Sequence, residues 1–140
     1  MSSWSLNPTA FIETVEQDLT TLQKKIATDA LTAVVMQSPV DTGQFRASHK
    51  LSVGHTDMSY NENTKDKSGT LTIANGNAQL QRLVPYSTVY IQSNSPYGKV
   101  IELGDFTTKA ETAKTIGGFS KQAPQGVYAL SFQLVKAKYT

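Results

Sequence analysis

The chain has 140 residues and a mass of 15.2 kDa, the size of one domain, since chains divide only beyond roughly 250 residues. Hydrophobic residues make up 39% of it, enough for one modest core with a good deal of polar loop. With 13 basic against 11 acidic residues the formal charge is +2, which excludes the strongly basic balance of a dedicated nucleic-acid binder. Cysteine is absent, and with it disulfide scaffolds, cysteine-ligated metal sites and thiol nucleophiles.

The first twenty residues carry no basic segment followed by an apolar one, because Asn7, Thr9, Glu13, Thr14, Glu16 and Asp18 interrupt it. The longest purely apolar run, Ala33 to Met36, is far short of the ~20 residues a membrane span needs. The expectation is a protein of a cytosol-like compartment with no membrane partner.

The N-terminal third predicts a long helix. Asn7 can cap it, Pro8 suits its first position, and Leu6 can pack on Phe11. Apolar residues follow at Phe11, Val15, Leu19, Leu22, Ile26, Ala30 and Ala33, one stripe at close to 3.6 residues per turn. Glu13, Glu16, Asp18, Lys24, Lys25 and Asp29 make the other face, and Ser38 before Pro39 ends the helix near Gln37. Such a helix is about 45 Å long, more than the roughly 35–40 Å width of a globule of this size. It therefore bends, at Thr20-Thr21, or protrudes with a stripe that a second copy can cover, or else lies along its own sheet with frayed ends.

Further on, Asp41 and Gln44 have capping-box spacing before a short helix. Lys50–Val53 and Thr70–Ile73 alternate as strands do, with residues 56–69 between them as a polar hairpin tip or a loop that orders on contact. Asn75-Gly76 reads as a tight turn, Ala78 to Leu83 as a helical turn, and Tyr86 to Ile91 as another strand. Tyr97 to Gly104 reads as a short helix ended by glycine, and residues 105–123 as a long loop that, like 56–69, is expected to order on a partner. Gly126 to Val135 fits helical spacing and strand alternation alike, and a strand is the favoured reading. The elements together predict one α+β domain, with a helical arm over residues 1–37 and a sheet-containing core over 38–140.

Candidate chemistry is sparse. His49 and His55 on one strand would stand about 20 Å apart, too far for one metal, and read as surface residues. Ser48 beside His49 is adjacency without triad geometry. Gly117-Gly118-Phe119-Ser120-Lys121 lacks the order of a phosphate loop. Glu102 and Asp105 make a carboxylate pair in sequence, but Glu102 is expected to pair with Lys99 or Arg46, or across a subunit interface. No cofactor is implied. From residue 105 onward, five lysines outnumber two acids, so a solvated basic face or non-specific phosphate contact is open there. A small hydrolase is the least favoured class.

The segment Ser38-Pro39-Val40-Asp41-Thr42-Gly43, with Phe45, Arg46 and Ser48, resembles the S-P-V-D-T-G-x-L/F-R-x-S signature of tail-completion, or neck, proteins of long-tailed bacteriophages. Asn94-Ser95-Pro96-Tyr97 with Glu102 and Gly104, and Ser120 to Gly126, resemble two later blocks of that family in the same order. Gly98 stands where the family commonly has alanine, and Val127 where it has methionine. The resemblance implies a non-enzymatic virion protein, assembled in the host cytoplasm, with a long helix on a mainly antiparallel sheet. It implies a homo-oligomeric ring of six copies between the head connector, or head-completion protein, and the tail terminator or tail tube protein; non-specific contact with phage DNA in the lumen is left open. The residues expected at a subunit or partner interface are Phe11, Val15 and Leu19 on the arm, Arg46, Tyr97 and Glu102 in the motif blocks, and Lys109, Lys114 and Lys121 on the basic loop.

Overall fold

The computed structural model describes residues 7–140, so the expected contact of Leu6 with Phe11 lies outside the described residues. Helix α1 runs unbroken over Pro8–Gln37, and the Asn7 side chain accepts the Thr9 N–H at 2.8 Å as its cap. It stops at Ser38, where the chain turns extended ahead of Pro39. Ala27, Leu31, Val34 and Val35 are buried on it, not the expected Ile26, Ala30 and Ala33, which are only partly covered, whereas Phe11, Ile12, Val15, Leu19 and Leu22 are exposed. Hydrogen bonding to the body begins at Gln23, whose amide donates to Ser87 O at 2.8 Å. The N-terminal half of α1 is therefore an overhanging arm.

A short helix α2 (Gln44–Ala47) leads into strand β1 (His49–Val53), which pairs antiparallel with β2 (Val89–Ser93), Leu51 opposite Ile91. Helix α4 (Gly98–Leu103) ends at Gly104 as expected, and β3 (Thr115–Ile116) and β4 (Phe119–Ser120) form a second small antiparallel sheet inside the 105–123 loop. The fold is α+β, as read from the sequence. One core joins α1, β1, α4 and the C-terminal segment through Leu31, Val35, Leu51, Leu80, Ile101, Ala123 and Val127. No helix among the described residues is long and apolar enough to cross a membrane.

Six local expectations are overturned. Thr70–Ile73 is not a strand but the start of helix α3 (Thr70–Gln79), and Asn75-Gly76 lies inside that helix. Asp66 starts it, its carboxylate accepting the N–H groups of Gly69 at 3.1 Å and Thr72 at 2.8 Å. The buried face of α3 is Thr72 and Gly76, and a Cβ on Gly76 would stand 2.1 Å from Leu31 Cδ2. Glycine is there to let two helices approach. The expected 56–69 hairpin tip is accordingly the link from β1 to α3, tied down where Asn94 Nδ2 donates to Asp57 O and Gln44 Nε2 to Glu62 O.

The segment favoured as a C-terminal strand is helix α5 (Tyr128–Tyr139), antiparallel on α1. Lys138 and Tyr139 at its end both reach Asp29, the lysine at 2.9 Å. The expected strand from Tyr86 starts later, at Val89, with Tyr86 in a turn at φ 66°. Asp41 does not cap α2; Gly43 holds that position at φ 90°, and Thr42 Oγ1 accepts the Gln44 N–H at 3.3 Å.

Candidate functional site

The three sequence blocks converge on one cleft of about 530 Å³, walled by the Pro39–Phe45 turn, Tyr97 just before α4, Ile101 of α4, Phe106, and Ser120 to Gln122 at the end of β4. Gln122 clasps the turn like a strand partner, accepting the Val40 N–H at 2.9 Å and donating to Val40 O at 3.0 Å. Tyr97, half exposed, and Lys114 stand at the cleft.

The polar side chains of these blocks are occupied in holding backbone. Among the described residues Arg46 meets no carboxylate, contrary to expectation: its guanidinium donates to Lys67 O at 2.8 Å, Ser38 O at 3.0 Å and Met36 O at 3.2 Å. A helix end leaves carbonyls without intrahelical partners, and a cation there also meets the negative end of the α1 dipole. Glu102 pairs with neither Lys99 nor Arg46. Its Oε2 accepts the N–H groups of Val127 at 2.7 Å and Tyr128 at 2.9 Å, and its Oε1 that of Ala129 at 2.9 Å. Those are unpaired donors of the first turn of α5, which an anion satisfies best. Both oxygens being so engaged, Glu102 does not act as half of a carboxylate pair with Asp105.

His49 is a further correction: it is buried, at 3% exposure, rather than on the surface. The single Ser38 hydroxyl proton goes to Val34 O at 2.6 Å, so the His49 Nε2–H donates to Ser38 Oγ. His49 Nδ1 then accepts from the Tyr128 hydroxyl at 2.9 Å. Burial, with the nearby Arg46 charge, lowers the His49 pKa to about 4. Burial, with the Glu102 charge, raises that of Tyr128, which stays protonated. The proton runs from histidine to serine, the wrong direction for a base activating that hydroxyl. Ser48 donates instead to Phe45 O and pairs with Ser93 at 2.6 Å. Among the described residues no group of three or more His, Asp or Glu side chains could hold a metal.

The expected basic patch is partly tied up, with Lys138 paired to Asp29. Lys109 Nζ donates to Gly104 O at 2.7 Å and Lys121 pairs with Glu111 at 2.9 Å. Lys114 and Lys136 make no ion pair among the described residues. Phe11, Val15 and Leu19 share the bare face of the arm, well away from the cleft in sequence and in packing. Sequence reasoning missed a second hollow, of about 400 Å³, between α1, β2 and α5. It depends on α5 being a helix; the helical reading of Val127–Val135 was the signal that could have found it.

Comparison with family models, with curated proteins and with solved structures gives no match to this chain.

Proposed function

We propose that the chain is a structural protein of a bacteriophage neck, completing the tail and joining it to the head connector as a ring of identical copies, six by resemblance to the tail-completion family. The observation that carries this reading is the arm: Phe11 is 56% exposed, Leu19 49% and Leu22 46%, along one face of a continuous helix. A monomer gains nothing by presenting that stripe to water, whereas a subunit does. The three motif blocks lend support by lining one cleft, with their polar groups bracing the turn that supports it. In this reading the cleft and its rim, with Tyr97 and Lys114, face the tail terminator, tail tube or head-side neighbour.

The test is the mass in solution of the purified chain, alone and mixed with isolated phage tails that lack their end protein. Multiples of 15.2 kDa and a new density at one tail end are expected. A chain that stays monomeric in both conditions and leaves the tails unchanged overturns the reading.

A further inference from the structure

The second hollow is almost wholly apolar. Its walls are Ile26, Ala30 and Val34 of α1, Ile91 of β2, and Phe132 and Val135 of α5, with Lys136 at its rim. Phe132 is 63% exposed, an uncovered aromatic beside an apolar hollow. We propose that this groove receives the helical arm of a second copy of the chain, the Phe11, Val15, Leu19 and Leu22 face lying along α5. The inference deepens the ring reading, and rests on it only for closure of the ring.

Three observations select that occupant. The stripe from Phe11 to Leu22 is about 17 Å long, and the 12 residues of α5 extend about 18 Å, at 1.5 Å per residue. The arm carries Glu13, Glu16 and Asp18 and no basic residue, whereas α5 carries no acidic residue and, with Lys138 paired to Asp29, leaves Lys136 without an ion pair among the described residues at the groove rim. Opposite signs favour the docked register and disfavour arm against arm. Finally, Ile26, Ala30 and Val34 belong to the same continuous helix as the arm, so an arm cannot fold back into its own groove. Donor and acceptor surfaces differ, which makes the contact head-to-tail, the kind that closes into a ring when the rotation allows.

Two variants of the full chain test this: Leu19→Asp in the arm and Phe132→Asp in the groove, both at exposed positions whose substitution leaves the core intact. By light scattering after gel filtration, the parent chain is expected to exceed a dimer and each variant alone to run as a 15.2 kDa monomer. An equimolar mixture has one working arm and one working groove, and is expected at the mass of two chains. The chain has no cysteine, so Val15→Cys and Phe132→Cys copies are expected to form a disulfide when mixed and not separately. If Phe132→Asp assembles like the parent, or Val15→Cys copies cross-link to one another, the groove contact is wrong and the ring reading stands. If the parent is monomeric at every concentration, both are overturned.

Discussion

Glu102 Oε2 accepts the backbone N–H of Val127 at 2.7 Å, so a carboxylate from α4 caps α5 at a position whose own side chain is sunk in the core. A helix start normally takes a polar residue for this purpose. Here the position is needed for packing, and the cap comes from elsewhere in the fold.

Glu102→Ala, which strands three N–H groups, should therefore lower unfolding stability by about 2–3 kcal/mol. Glu102→Gln keeps one acceptor oxygen and loses the charge, and should lose less than half as much. Urea unfolding followed by circular dichroism measures both. Equal losses from the two variants would contradict the cap.

Two glycines should respond with opposite sign. A Cβ on Gly98 would lie 3.8 Å from Phe45 Cε1, an ordinary contact, so Gly98→Ala should add about 0.5 kcal/mol through helix propensity. Gly76→Ala drives a methyl into Leu31, which is wholly buried and has nowhere to swing; a loss of about 1–3 kcal/mol is expected from overpacking. Thermal melts of the two variants would separate in direction as well as size.

The His49 network makes stability pH-dependent. The folded pKa of about 4 lies below the ordinary 6.5, so the unfolded chain binds the extra proton first. The contribution is whole above pH 6.5 and disappears as pH falls toward 4. By linkage this is on the order of 3 kcal/mol across the window. Protonation would also leave the Tyr128 hydroxyl proton without its acceptor. His49→Asn should flatten the profile between pH 7 and 4.5; parallel profiles for parent and variant would exclude His49 as the source.

Arg46 spans Met36, Ser38 and Lys67 with one planar group. Lysine keeps the charge but offers one nitrogen where arginine donates from Nη1 and Nη2, so it cannot span all three carbonyls, and Arg46→Lys should cost about 1–3 kcal/mol. Hydrogen exchange should quicken at the C-terminal end of α1 and in residues 66–69 together. Quickening at one of them alone would show that the two are not coupled through this side chain.

The extent of helix α1 was legible in the sequence, because Asn7, Pro8 and Ser38-Pro39 act within a turn or two of where they stand, but its packed face was not, since the residues it buries are Ala27, Leu31, Val34 and Val35 and none of them is on the expected stripe. Strand β1 and helix α4 were legible for the same local reason. Helices α3 and α5 were not. The packed face of α3 is Thr72 and Gly76 while Leu71 is exposed, so hydrophobic spacing points the wrong way, and α5 owes its start to Glu102, 25 residues upstream of Val127. The roles of Arg46 and Glu102 and the burial of His49 were hidden likewise, since each is defined by backbone groups or side chains that only the folded chain brings near. Local hydrogen bonding and periodicity are written in neighbouring residues; which face of an element meets another is decided by shape at long range.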